Sequence, residues 1–168
     1  MRMRFLEFTF LLIALCTSLA ACASHQPVQE SKADFNGRWS VKWCDRTDPK
    51  LDCGGFDITL VQNGERICGD FGGALVNLRQ VDEGTIVGTS AGNTAILAVE
   101  SMRNQSIALV RATLQGNSLH WVSVDEIKRG SNDVDVIATN SVLIRDPEPH
   151  MSSEHRLEAG QTCDSYLR

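Results

Sequence analysis

The chain has 168 residues, 42% of them hydrophobic and 22% charged, with a formal net charge of −5 at neutral pH. This length suits one domain around one core. The acidic balance, with no basic stripe, excludes a generic nucleic-acid binder, which needs Lys and Arg to displace counterions from phosphates, and turns expectation toward neutral or cationic partners.

The N-terminus carries Arg2 and Arg4, then a mostly apolar run over residues 8–15, then small residues before Cys22. This is the charged, hydrophobic and cleavable layout of a secretory signal. The run is shorter than the roughly 20 residues that span a bilayer, and Glu7 interrupts its start. Leu19-Ala20-Ala21-Cys22 closely resembles a bacterial lipobox. The resemblance implies a signal peptide over residues 1–21, cleavage before Cys22, a diacylglyceryl group on its thiol and acylation of the new amino group. Ala23 rather than Asp after the cysteine implies sorting to the outer membrane, with the protein facing the periplasm. Each buried methylene contributes about 0.8 kcal/mol, so two or more chains make a durable anchor. Loss of Arg2, Arg4 and Glu7 with the signal leaves 147 residues and a net charge of −6. Residues 22–34 are polar and read as a lipidated tether, because they bury too little apolar surface to order themselves.

From Phe35 the hydrophobic period is two. Trp39, Val41 and Trp43 share one face of a first strand. Phe56, Ile58 and Leu60 alternate up to Asn63-Gly64, a dipeptide suited to a type I′ turn. That turn sets Leu60 opposite Ile67, Ile58 opposite Gly69, Phe56 opposite Phe71 and Cys68 opposite Thr59, with the Cys68 thiol outward. Further strands are expected at 75–82, 85–91, 94–101, 106–115, 118–127 and 134–145. The turns between them fall at Glu83-Gly84, Gly92-Asn93, Arg103-Asn104-Gln105, Gln115-Gly116-Asn117 and residues 128–133. No segment between Phe35 and Arg145 has a capped helical period. The expected fold is therefore all-β, an up-and-down antiparallel barrel of 8–9 strands over residues 35–146, closure removing exposed edges. Residues 147–168 form a tail packed on the barrel, with a helical turn or two over 152–159 ended by Gly160.

An exported chain meets an oxidising compartment. Cys16 lies in the signal and Cys22 is committed to lipid, which leaves Cys44, Cys53, Cys68 and Cys163, and four cysteines allow three pairings. Cys44 with Cys53 and Cys68 with Cys163 is favoured, because an outward Cys68 is placed to receive Cys163 from a tail crossing the outer wall. Each bridge contributes about 2 to 4 kcal/mol. The rival zinc site lacks a C-x-x-C pair and a nearby His.

Gly37-Arg38-Trp39 at the head of the first strand resembles the G-x-W signature of the calycins, the lipocalin and avidin group. The resemblance implies that Trp39 closes one end of the core and that Arg145, from the last strand, packs across it. The Gly-x-Trp element, a Cys before a strand and Cys-Gly after it also look like features of periplasmic protease-inhibitor barrels.

Catalytic patterns fail on context. Gly88-Thr89-Ser90-Ala91-Gly92 matches a nucleophile elbow, but a strand pattern rather than a helix follows. Asp70-Phe71-Gly72 matches the kinase tripeptide without its companion motifs. His120 stands alone in a strand, and Asp133 with Asp135 reads as solvated loop charge. No enzyme, metal or other cofactor is expected. The expected function is a binding module that sequesters a protein, as a hydrolase inhibitor or a toxin-immunity partner. The candidate recognition residues are Asp45, Asp48 and Asp52, Gly72 and Gly73, and Lys128 and Arg129. The alternatives are a carrier of one small apolar ligand within the barrel and a structural envelope lipoprotein.

Overall fold

Alternating apolar and polar residues become eight antiparallel strands closed into one up-and-down barrel. The structure is a computed structural model and describes residues 33–78, 80–131, 133–147 and 163–166. Cys22, the lipobox, the tether as far as residue 32, and the expected helical turn at 152–159 lie outside the described residues. The strands are β1 (Gly37–Trp43), β2 (Gly54–Asn63), β3 (Arg66–Ala74), β4 (Val81–Ala91), β5 (Thr94–Ser101), β6 (Ile107–Gln115), β7 (Ser118–Lys128) and β8 (Asn140–Arg145). Each pairs with its sequence neighbours, and β8 closes on β1 through Trp39 opposite Arg145 and Ser40 opposite Ile144.

Inward residues from every strand form a single core. Trp39, Ile58, Ile86, Leu97, Val99, Val110, Leu119, Trp121 and Leu143 retain no accessible surface, so no water-sized void touches them. The interior is packed like other protein cores.

Three expectations about elements need correction. The β2–β3 register is displaced by two: Leu60 faces Gly69, Ile58 faces Phe71, Phe56 faces Gly73, and Cys68 faces Val61. The turn residues are Gly64-Glu65, with positive φ at Gly64 (69°) and not at Glu65, the pattern of a II′ turn with Gly at its first central position. Gly92-Asn93 and Gly116-Asn117 follow the same rule, with φ of 59° and 61° at their glycines. A shift of two preserves the faces, so the core assignment survives. Second, Glu83-Gly84 is no turn, because β4 runs through it. A Cβ on Gly84 would lie 1.9 Å from the Glu100 carbonyl oxygen and 2.5 Å from the Phe71 ring, so glycine is required here for close packing. The segment before it makes a 3-10 turn, Val76–Leu78. Third, β8 begins only at Asn140, because Val136, Ile137 and Ala138 leave the sheet and are buried.

Alternation of strand direction puts the tight turns β2–β3, β4–β5 and β6–β7 at one end. That end is closed by Phe35 and Trp39, which are fully buried. Trp39 Nε1 donates to the Phe35 carbonyl at 3.1 Å. The Arg145 guanidinium lies 4.1 Å above the Trp39 ring and donates to the carbonyls of Asn36 and Asp34. Gly37 has φ of 112°, and a Cβ there would sit 3.3 Å from Arg145 Nη1. Both the turn into β1 and the approach of Arg145 therefore favour glycine at the head of Gly-x-Trp.

Both disulfides join the expected partners. Cys44–Cys53 spans 9 positions and Cys68–Cys163 spans 95. Cys68 is fully buried although its strand position faces outward, because the helical turn α1 (Cys163–Tyr166) covers it from outside. Arg66 forms an ion pair with Asp164 beside that bridge.

Candidate functional site

The four longer connections, β1–β2, β3–β4, β5–β6 and β7–β8, meet at the other end of the barrel. All the proposed recognition residues lie at or near this loop end, but they play different parts there.

The β1–β2 loop is held at its base by Cys44–Cys53. Asp45 accepts from the Thr47 hydroxyl at 2.6 Å and from the backbone N–H groups of Thr47 and Asp48. These bonds, the Thr47 hydroxyl first, hold its carboxyl below the ordinary range. Asp48 accepts from the Lys50 N–H at 3.1 Å. Both acids therefore shape the loop as well as charging it. The Asp52 carbonyl accepts from the Asn77 N–H at 2.7 Å, tying the loop to the 3-10 turn, while the Asp52 side chain is exposed.

Gly72 and Gly73 are not rim loops. They lie in β3, opposite Asp57 and Phe56. A Cβ on Gly73 would meet Val136 at 2.9 Å and Phe56 at 3.3 Å, so Gly73 makes room for the β7–β8 connection. Val136, Ile137 and Ala138 fold over the end of the barrel as a plug, and Trp121 Nε1 donates to the Ala138 carbonyl at 2.8 Å. Phe56 stands beneath it, 5.4 Å from Trp121, 5.5 Å from Phe71 and 6.2 Å from Trp43 between ring centroids. Lys128 ends β7, and Arg129 follows it with its side chain 89% exposed and paired to Glu126 at 3.4 Å.

A polar network fastens the β5–β6 connection to its neighbours. Asp82, 6% exposed, accepts from the Ser101 hydroxyl at 2.6 Å and from the backbone N–H groups of Glu83 and Arg103. Arg103 donates to Asp133 at 2.8 Å and to the Val81 carbonyl at 3.0 Å. The Asp133 carboxyl is held below its usual range, chiefly by the Arg103 hydrogen bond. Asp133 is thus an ion-pair partner rather than only solvated charge, and Asp135 accepts from the Ile137 N–H at 2.9 Å, starting the plug.

Beside the plug an open crevice of about 280 Å³ remains, lined by Ser106, Ala108, Ser123, Val124, Asp125, Glu126 and Asp135. The β6–β7 ladder skips Val124 and Ile127, placing two bulges at this rim. Bulges bend a strand and re-aim its side chains. Val124 and Ile127 are accordingly 44% and 57% exposed. Nothing in the alternation around residue 124 announced the crevice, because bulges break the period from which faces are read.

The motifs set aside on context occupy ordinary strand positions. Ser90 lies in β4, accepts from Gln62 Nε2 at 3.1 Å and is followed by a hairpin. Phe71 is in the core, and His120 lies in β7 opposite Val142. Among the described residues, no three His, Cys, Asp or Glu side chains are grouped to hold a metal ion.

No family model, curated protein or solved structure matches this chain.

Proposed function

We propose that this is a lipid-anchored outer-membrane protein whose calycin-like barrel faces the periplasm and sequesters a protein partner at its loop end, as a hydrolase inhibitor or a toxin-immunity protein does. The observation that carries this reading is the packing of the barrel. Trp39 and Arg145 close one end, the Val136–Ala138 plug caps the other, and the core between them touches no water-sized void. Recognition then falls to the exterior, and four connections tied by a disulfide and ion pairs present a preorganised surface, which lowers the entropic cost of binding. The lipobox and polar tether support an anchored module free to search for its partner.

Photocrosslinking in the native host tests the location. A photoreactive residue at Asp48 or Lys50 should capture a protein, and one at Asn93, on the opposite end, should not. Equal capture from both ends, or capture only from Asn93, would contradict it.

A further inference from the structure

The strand β7 outruns its neighbour on one side. Residues 118–122 lie between β6 and β8, whereas residues 123–128 pair with β6 alone. The Ser123 N–H donates to the Thr139 carbonyl at 2.8 Å, and past that bond no described strand lines this edge. Val124, Asp125, Glu126, Ile127 and Lys128 are all exposed, so the strand ends as a ribbon open on both faces. Its two bulges leave Val124 and Ile127 with no opposite residue in β6.

An open edge offers backbone N–H and C=O groups to another strand, and charged side chains ordinarily guard it. Here the order of the charges selects one strand. Asp125-Glu126-Ile127-Lys128-Arg129 has two acids before an apolar centre and two bases after it. Laid antiparallel on a second copy of itself with Ile127 on the two-fold axis, this sequence sets Glu126 against Lys128 and Asp125 against Arg129, each twice. No other antiparallel register gives all four charged residues an opposite charge, and a parallel alignment puts like on like. Within one chain Arg129 meets Glu126 at 3.4 Å, but their side chains are 89% and 47% exposed. So exposed a pair contributes little and is readily exchanged.

We propose that two copies of this chain pair through the free edges of β7, antiparallel about a dyad at Ile127. The contact is isologous, as a two-fold interface requires. Backbone hydrogen bonds supply the attachment and the charge order supplies the register. The residues involved are distinct from those of the β1–β2 loop, and the pair has twice the mass of the chain, so it is told apart from a complex with a foreign protein.

Directly opposite residues of an antiparallel pair have Cα atoms about 4.5 to 5.5 Å apart, within reach of a disulfide. The test uses the full chain in detergent micelles under a mild oxidant. Ile127→Cys should be captured as a covalent pair on non-reducing gels, and Val124→Cys, which the register sets opposite Gly130, should not. Two further variants are built on Ile127→Cys and checked for native near-ultraviolet circular dichroism. Asp125→Lys with Glu126→Lys makes the edge wholly basic, and Lys128→Glu with Arg129→Glu makes it wholly acidic. Each alone should lose capture at least about tenfold, because like charges then face each other. Mixed, with tags of different size, they should recover it as the mixed pair. Absence of capture in Ile127→Cys, equal capture in Val124→Cys, undiminished capture in either folded charge variant alone, or no mixed pair would each overturn the assignment.

Discussion

At Arg145 one side chain does three things: it covers the Trp39 ring and caps the carbonyls of Asn36 and Asp34. Replacing it with Met keeps the stem and removes the cation, and we expect a loss of about 2 kcal/mol, read as a lower urea midpoint with unchanged slope. Lys should restore only part of this. Asp57 offers a pH-dependent test. Burial first raises its carboxyl above the usual 3.8, Asp146 adds repulsion, and Arg38 at 2.9 Å offsets only part of both. A raised folded-state value means that the native form holds the proton more tightly than the unfolded chain. The associated stability is therefore fully present below 3.8 and is lost as pH rises through the higher folded value. Asp57→Asn should lack this fall, so the stability difference between variant and wild type should grow in the variant's favour from about pH 4 upward, over the window set by that raised carboxyl. A constant difference across that range would show that burial does not dominate at this site.

At the scale of elements, Gly84 and the two disulfides test how the sheet is held. Gly84→Ala drives a methyl into the Glu100 carbonyl and the Phe71 ring, and should destabilise the barrel by about 3 kcal/mol. Removing Cys68–Cys163, which closes 95 positions, should cost more than removing Cys44–Cys53, which closes 9. Loop closure predicts roughly 4.7 against 2.7 kcal/mol, measured as the fall in unfolding free energy of each paired Cys→Ala variant. The same elements show what was legible in the sequence. Period-two patterning placed Trp39, Phe56, Ile58 and Phe71 correctly on the core face because faces depend only on parity. Register and turns were less legible: Gly64 serves as the first rather than the second residue of its turn, and Gly84 lies inside a strand. A glycine reads as a turn locally, and only its neighbours in space reveal that it admits a ring. The plug was hidden for a similar reason. Val134, Val136 and Ala138 alternate like a strand, but three of the buried positions, 136–138, are consecutive in the folded chain. The candidate recognition residues divided likewise: Asp45 and Asp48 lie on an exposed loop as expected, whereas Gly73 serves packing.

The described residues form a filled barrel closed by a tryptophan and arginine at one end and a short plug at the other, with the longer connections gathered on the plugged side. If Cys22 carries the anchor, Cys22→Ala protein should leave the membrane fraction and appear in the soluble periplasmic fraction on immunoblots; persistence in the membrane fraction would contradict lipidation there. The central claim is that the exterior of this barrel holds a protein, and native mass spectrometry of the full lipidated chain, extracted gently from the envelope of its own host, tests it most directly. We predict an additional mass of protein size, released when Asp45, Asp48 and Asp52 are changed together to Asn. A chain that carries only lipid, or an adduct of a few hundred daltons on the scale of one small ligand, would contradict sequestration.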